Sequence, residues 1–300
     1  MDRRLCTGGL VLMLVASPCF CKAQAGASAA GAYLGFDRND YPGDTALAAL
    51  HKTFRYTSYW LNAPPGETSN NWVGKRALLK QNGFGFLVLF NGRLDAELKG
   101  KDAAALGTAD GKAAVAAAAR EGFPPGVVIF LDQEEGGRLL PEQAAYIFSW
   151  IDAVRQGGAR AGVYCSGIDV PEGKGTISTA RDIVERETAR AHSSKGQSSA
   201  NKTAGPRLVL WIADDQCPPA PGCTLAAPRL PGAFTPPVSD VTAIWQYVQS
   251  PRRPEFSAHC PAKPAPDGNC YAPNLGPDAK IFVDLDVANS PDPSEPPAQR

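Results

Sequence analysis

Short apolar runs that are typical of β-strands recur about eight times, and helical patterns separate the first six. Apolar strands that alternate with helices form parallel sheets covered by the helices, so the sequence predicts an α/β fold. Eight such strands favour a modified (β/α)8 barrel of the TIM type in a single domain, with a doubly wound open sheet as the alternative. The predicted strands are 33–38, 54–61, 84–90, 127–131, 160–165, 208–213, 243–248 and 281–287, and the predicted helices are 45–53, 71–81, 112–121, 141–156 and 179–192.

Size and charge agree with one barrel. The chain has 300 residues, 44% of them hydrophobic, and barrels of about 250 residues are common as single domains. Lys plus Arg and Asp plus Glu both number 30, so the formal net charge is zero. This balance argues against a nucleic-acid partner, because nucleic-acid-binding domains are usually basic. Two Pro-rich connections, 216–239 and 250–278, replace regular helices in the last third.

The N-terminus has the layout of a secretory signal peptide, predicted over residues 1–25. A basic start at 2–4 precedes the mostly apolar stretch 5–21, and Ala-Gln-Ala at 23–25 is a typical cleavage pattern. We therefore expect a secreted or periplasmic protein, with a retained membrane anchor as the alternative and a lipoprotein as a weaker one. No later stretch reaches about 18 apolar residues, so no membrane span is expected in the mature chain.

The mature chain is predicted to comprise a barrel domain at 26–290 and a disordered tail at 291–300, which is rich in Pro and polar residues. Five of its residues are cysteines. Local pairs fit an oxidising compartment, although the spacing leaves a crossed pairing open. Cys165 lies in an apolar run and is expected to be a buried free thiol. No C-x-x-C occurs and the three histidines are scattered, so neither a metal site nor a cofactor is predicted. The predicted local disulfides are Cys217–Cys223 and Cys260–Cys270.

Polar and aromatic residues follow most of the apolar runs. In parallel α/β barrels the site lies at the carboxyl ends of the strands, so these residues are expected to meet at one mouth. Asp215 and Glu135 are instead expected to be solvated surface charges. The predicted site residues are Asp37, Trp60, Asn91, Asp132, Glu134, Tyr164, Asp214, Gln246, Tyr247, Asp284 and Asp286.

Two pairs of acids stand out. Side chains two apart on a strand share a face, so Asp132 and Glu134 point one way, and Asp284 and Asp286 do the same. Carboxylates that crowd around Asp37 raise the pKa of at least one member, as a general acid near neutral pH requires. Two carboxyl groups beside aromatic rings fit glycoside hydrolysis. The alternatives are that the acids cap the following helices and that the aromatic residues belong to the core.

Six blocks in order carry a resemblance to a known family. They are GFDRND (35–40), FLDQEEGG (130–137), AGVYCSG (161–167), LWIADD (210–215), AIWQYVQ (243–249) and VDLDVAN (283–289). Over about residues 32–290 the chain resembles the glycoside-hydrolase-like domain of unknown function of secreted bacterial proteins, which is related to the glycoside hydrolase family 25 lysozymes.

The resemblance implies a modified barrel and a role for each acid. Glu134 would be the general acid, and Asp132 would position the acetamido group of the substrate or stabilise developing charge. Asp37 and Asp284 would complete an acidic floor. The chain departs from the lysozymes at Arg38, where they usually carry a small apolar residue, at Asp286, where many carry Asn, and at the additional acid Glu135. Gln246 and Tyr247 would contact sugar.

These features together predict a secreted, monomeric glycoside hydrolase that acts on a cell-wall glycan, with peptidoglycan as the leading substrate. One alternative is a non-catalytic glycan-binding module on the same barrel. Another is an interaction protein that binds through the Pro-rich connections 216–239 and 250–278.

Overall fold

The computed structural model describes residues 32–194, 207–217, 234–250 and 271–295. Ten strands and six α-helices lie in these ranges. The strands are β1 (Tyr33–Asp37), β2 (Tyr56–Trp60), β3 (Gly85–Asn91), β4 (Val128–Gln133), β5 (Arg160–Ser166), β6 (Val170–Glu172), β7 (Gly175–Ile177), β8 (Val209–Cys217), β9 (Thr242–Val248) and β10 (Asp284–Ala288). The helices are α1 (Leu47–Leu50), α2 (Arg76–Gln81), α3 (Asp95–Leu98), α4 (Ala103–Arg120), α5 (Pro141–Gln156) and α6 (Thr179–Ser194), with 3₁₀ turns at Asp44–Ala46 and Pro277–Ala279.

Eight strands close into a barrel in the order β1-β10-β9-β8-β5-β4-β3-β2. This closure confirms the barrel prediction and excludes the open sheet. Seven strands run parallel, whereas β10 is antiparallel to both of its neighbours, β1 and β9. The barrel is therefore mixed, which differs from the fully parallel sheet that the sequence predicted.

The reversed direction of β10 explains why Asp284, at its start, reaches the mouth. An antiparallel strand brings its first residue, not its last, to the carboxyl ends of the others. Asp284, the first residue of β10, pairs directly with Asp37, the last residue of β1. The two side chains therefore share a face at the same end of the barrel.

The outer layer is tightest where α4 crosses α5. The sequence of α4 is rich in Ala and Gly, and a Cβ atom on Gly107 would lie 2.1 Å from the carbonyl oxygen of Tyr146. A glycine is needed here because the helix backbones approach so closely. Asp102 caps α4 by accepting a hydrogen bond from the Ala105 amide at 3.0 Å, and the helix begins earlier than predicted.

The short hairpin β6–β7 was not predicted, because three-residue strands leave almost no apolar pattern. Ion pairs hold it against the loop after β4. Arg138 forms a fork with Glu172 of the hairpin and also contacts Asp182 of α6 at 2.6 Å. Asp182 is fully buried and accepts a hydrogen bond from the Leu139 amide. The hairpin is thus anchored beside the carboxyl end of β5.

The first half of the predicted tail is ordered. Ser294 is fully buried, donates its amide to the Phe86 carbonyl at 3.0 Å and accepts from the Val128 amide at 2.8 Å. Its hydroxyl accepts from the Val88 amide at 2.9 Å. Residues 291–295 therefore supply backbone partners that the starts of β3 and β4 need.

Several predictions fall on parts of the chain that the structure does not describe. They are the signal peptide 1–25, residues 296–300, most of the two Pro-rich connections, and the disulfides, which involve Cys223, Cys260, Cys270 and the side chain of Cys217. Cys165 is a buried free thiol as predicted, and burial raises its pKa to about 12. Within the described ranges no helix is both long and apolar enough to cross a bilayer.

Candidate active site

A cavity of about 490 Å³ opens at the carboxyl ends of the parallel strands. It is lined by side chains from both halves of the chain, because the closed barrel brings β4 and β5 opposite β1 and β10. The predicted site residues in its lining are Asp37, Trp60, Asp132, Glu134, Tyr164, Gln246 and Asp284.

The β4 side of the cavity carries Asp132 and Glu134. Asp132 is buried and stands in register with Asn91 on β3 and Tyr164 on β5. Glu134 follows the end of the strand and is exposed. One carboxyl group thus lies in the floor while the other lies at the rim, where a substrate can reach it.

The opposite side of the cavity is a chain of hydrogen bonds. Tyr164 Oη donates to Gln246 Oε1 at 2.8 Å, and Gln246 Nε2 donates to Asp37 Oδ2 at 2.7 Å. The same nitrogen lies 3.5 Å from Asp284 Oδ2, and the Ser250 amide donates to Asp284 Oδ1 at 2.6 Å. Asp37 and Asp284 are therefore held at one place by shared donors. Burial and the surrounding carboxylates raise the pKa of Tyr164, so its hydroxyl stays protonated and donates.

Asp286 lies beneath this floor and is not in the lining of the cavity, which differs from its predicted role in substrate binding. It is fully buried, and Trp211 Nε1 donates to its Oδ1 at 3.0 Å. Burial raises the pKa of Asp286 well above the usual range, and repulsion from Asp37 and Asp284 adds to the increase.

Three further predicted residues lie outside the described lining. Asn91 instead fixes the loop after β2, because it donates to the Ala63 carbonyl at 2.9 Å. Tyr247 is buried where the register between β9 and β10 shifts, so it has no opposite residue. Asp214 points away from the cavity, and Asp215, predicted to be a solvated charge, lines it.

The alternation along β8 shows why Asp215 lies in the cavity. Trp211, Ala213 and Asp215 occupy one face of the strand, and all three are in the lining. This signal was available in the sequence. Glu135 is also not a solvated charge: it accepts hydrogen bonds from the Asp95 amide at 2.8 Å and from Gln143 Nε2 at 2.5 Å, which ties two loops together.

The aromatic residues form a wall rather than an open platform. Trp60 is buried, and its Nε1 donates to the Arg38 carbonyl at 3.0 Å. Tyr164 and Trp211 pack at 4.7 Å between ring centroids. At the rim the exposed Ile168, which follows β5, adds an apolar contact that was not predicted. A sugar ring would meet polar groups on two sides and apolar surface on a third.

Within the part of the chain that the structure describes, no group of three or more His, Cys, Asp or Glu side chains is arranged to hold a metal ion.

One protein-family model matches the sequence of this barrel. The model of the Rv2525c-like, glycoside hydrolase-like domain matches residues 54–208, more than half of the chain. The chain belongs to this family. The match confirms the resemblance found in the sequence and covers Asp132 and Glu134, whereas Asp37 and Asp284 lie outside the matched residues.

One solved structure similar to this Rv2525c-like chain shares its fold, and two others match it with lower scores. An uncharacterised protein from B. stearothermophilus has a TM-score of 0.55 at 19% identity, with 85% of this chain and 95% of that chain covered. The Tat-secreted protein Rv2525c of Mycobacterium tuberculosis has a TM-score of 0.43 at 13% identity, covering 86% and 95%. A family 25 glycosyl hydrolase from Bacillus anthracis has a TM-score of 0.41 at 12% identity, covering 86% and 89%. Among curated proteins no match was found.

Proposed function

We propose that this protein is a secreted glycoside hydrolase that acts on a cell-wall polysaccharide, with peptidoglycan as the leading substrate. One observation carries the proposal: Asp132 and Glu134 from β4 and Asp37 and Asp284 from β1 and β10 line a single open cavity. Four carboxyl groups around one hollow beside an apolar wall suit the cleavage of a bond between sugars.

Glu134 is the proposed general acid. It lies at the exposed rim, where its proton can reach the oxygen of a glycosidic bond while the sugar fills the cavity. Cleavage leaves positive charge on the sugar ring, and the buried carboxyl group of Asp132 below stabilises that charge. Proton donation of this kind contributes roughly 10²–10⁴-fold to a rate.

The β1–β10 side binds and orients the sugar. Gln246 fixes Asp37 and Asp284 in position, and carboxylate oxygens are good acceptors for sugar hydroxyls. The partly exposed Tyr164 and Ile168 contribute apolar contact. Because these groups are linked to one another before any ligand arrives, little reorganisation is needed on binding.

A cell-wall substrate is supported by the family, whose description is glycoside hydrolase-like, and by the export pattern of the first 25 residues. We propose that this segment is removed on secretion and that the mature protein, acting as a monomer, meets the glycan outside the cytoplasm.

The test is an assay of the purified protein on peptidoglycan and on N-acetylglucosamine oligomers, with new reducing ends as the readout. Glu134→Gln should lower turnover roughly 10²–10⁴-fold. Its free energy of unfolding should change by less than about 0.5 kcal/mol, because the side chain is exposed.

Glu185→Gln is the matched control. Glu185 is an exposed glutamate on α6, and the substitution should leave turnover at the wild-type level. A folded wild-type protein that releases no reducing ends from either substrate would refute the hydrolase proposal, and so would equal turnover in the Glu134→Gln protein.

A glycan-binding module without turnover is the second candidate. The hydrogen bonds that hold Asp37 and Asp284 favour it, because two of the four acids are already committed to a fixed arrangement. This candidate predicts that both wild-type protein and Glu134→Gln sediment with cell walls and that neither releases products. If both proteins sediment with cell walls and only the wild type releases products, the result supports the hydrolase.

A further inference from the structure

Asp286 occupies an unusual place for a carboxyl group. It points into the barrel below the cavity, opposite Gly35 of β1 and Gln246 of β9, and no part of it is exposed. One oxygen, Oδ1, accepts the hydrogen bond from Trp211 Nε1. The other, Oδ2, is buried and accepts no hydrogen bond from the residues that the structure describes.

Other acids, not bases, provide the charges that act on Asp286. Asp37 and Asp284 repel a negative charge at this position, and the strand register places Asp37 diagonally across from Asp286 on the same face of β1 and β10. Two carboxyl oxygens form a hydrogen bond only when one of them carries a proton. A hydrogen bond between the neighbouring side chains of Asp37 and Asp286 therefore requires a proton on one of the two residues.

Their surroundings decide which residue holds it. Asp37 lines the cavity and accepts a 2.7 Å hydrogen bond from Gln246 Nε2, a donor that favours the charged form. Asp286 lies deeper and, among the residues that the structure describes, accepts a hydrogen bond only from the indole of Trp211. A buried ion without an opposite charge is strongly disfavoured, so the proton belongs on Asp286.

Two buried tyrosines complete the chamber around Asp286. Gly35 has no side chain, and the Tyr56 ring fills that space, since a Cβ atom on Gly35 would lie 1.9 Å from Tyr56 Cε2. The hydroxyl groups of Tyr56 and Tyr247 are buried without partners in the described part of the chain. Among the described residues, the titratable or polar groups that face Asp286 are Asp37 from β1, Tyr56 from β2, Tyr164 from β5, Trp211 from β8, Gln246 and Tyr247 from β9 and Asp284 from β10.

We propose that Asp286 is a positioning residue that carries a proton in the resting protein and donates a hydrogen bond to Asp37, which keeps Asp37 ionised and turned toward Gln246. Asp286 does not touch the substrate. It acts through Asp37, and this kinetic role rests on the proposed hydrolase function, whereas the protonation itself does not.

Infrared difference spectroscopy tests the protonation without any substrate. The spectrum of the wild type minus that of Asp286→Asn, at pH 7, should show the carbonyl band of a protonated carboxylic acid. A carboxylate band in its place overturns the proposal. Asp286→Asn is suited to this comparison because its amide can still donate to Asp37 and accept from Trp211.

The pH dependence of stability gives a second measurement. A carboxyl group that stays protonated in the folded state stabilises the protein below its unfolded pKa, and this stabilisation is lost as the pH rises. The melting temperature of Asp286→Asn should therefore rise steadily relative to the wild type between about pH 4 and pH 7. A difference that is constant above pH 5 means that Asp286 ionises normally, and the proposal fails.

Kinetics test the role in positioning. Asp286→Asn should keep kcat near the wild-type value, whereas Asp286→Leu, which has no donor, should lower kcat about 10- to 100-fold and shift the pH profile. Equal losses in both variants overturn the positioning role. If the acid band is present but no substrate is turned over, the hydrolase function fails and the protonation stands; turnover without the band gives the reverse result.

Discussion

The two ends of the barrel use polar groups in opposite ways. At the mouth, carboxyl groups and amides face a cavity, and Glu134 is open to solvent. At the base, the segment 290–295 crosses the starts of β3 and β4, and its polar groups are bonded to backbone. The same sheet thus turns polar groups toward a cavity at one end and bonds polar groups to backbone at the other.

The difference teaches which end can tolerate change. Under the proposed function, a substitution at the mouth removes a group that acts on the ligand, so function is lost and the fold survives. A substitution at the base leaves buried amides of Phe86, Val88 or Val128 without partners, so stability is lost and the cavity is unaffected. Each prediction below tests one side of this contrast.

Removal of residues 291–300 should have the largest effect. At least three buried backbone amides lose their acceptors, each at about 1–3 kcal/mol, so the free energy of unfolding should fall by roughly 3–9 kcal/mol. Urea denaturation measures the change. Removal of 296–300 alone, which keeps the contacts of Asp292, Ser294 and Glu295, is the control. Equal stability of the longer truncation and the full chain would contradict the contrast.

Asp132→Asn should affect the mouth alone. Loss of the buried charge below the sugar should reduce kcat roughly 10²–10³-fold. The unfolding free energy should not decrease by more than about 1 kcal/mol, because a buried charge is replaced by an amide of the same shape. Steady-state kinetics and thermal melts are the measurements. Asp240→Asn, at an exposed acid near the base, should change neither, and a comparable loss of kcat there would be inconsistent with a site at the mouth.

Asp292→Asn should reveal how the stability at the base end of the barrel depends on pH. Burial raises the pKa of Asp292 to about 6, so the wild type loses stability as the pH rises from about 4 through 6. The same Asp292 oxygen accepts from the amides of Phe86 and Glu295, and an asparagine oxygen can replace it. The variant should gain about 1–2 kcal/mol over the wild type across this range, after allowance for partial exposure. Chemical denaturation at pH 4 and pH 7 would show no such change if Asp292 titrates normally.

Tyr164→Phe should have the smallest effect. It removes one neutral hydrogen bond, from Tyr164 Oη to Gln246, and loosens the chain that reaches Asp37. The expected loss in kcat/KM is about 0.5–1.5 kcal/mol, up to roughly tenfold. Tyr33→Phe, at the base end of β1, is the control and should leave kcat/KM unchanged. An identical response of the two variants would show that the hydroxyl of Tyr164 does not support the site.

The strands and the main helices could be predicted because their local patterns agree with their environment. Helix α5 has the predicted bounds, since Pro141 starts it and glycine follows its last residue. The hairpin β6–β7 and the order in 291–295 could not be predicted. The hairpin depends on ion pairs across loops, and the polar, Pro-rich tail is ordered by strand edges distant in sequence.

The direction of β10 could not be predicted from the sequence. Alternation of side chains looks the same whichever way a strand runs, so Asp284 and Asp286 were placed on one face without their order from mouth to base. In a parallel strand Asp286 would lie nearer the mouth. The antiparallel direction gives that place to Asp284 and puts Asp286 beneath it.

Elsewhere in the site, the prediction depended on deciding which residues of each strand face the inside of the barrel. Asp132, Glu134 and Gln246 fall on the inner face by counting in steps of two, and the structure places them in the cavity. Asp214 was predicted to be a site residue and Asp215 was not, although Trp211 and Ala213 lie on the same face of the strand as Asp215. Asn91 shares the inner face but binds a neighbouring loop, and contacts of that kind are invisible in a single strand.

The last strand has a consequence for the order of synthesis. β1 emerges early from the ribosome, but one of its two neighbours is β10, near the end of the chain. Until those final residues are made, β1 and β9 each keep an open edge and the base lacks Ser294. The ring therefore stays incomplete until β10 has been made, and contacts so distant in sequence form slowly.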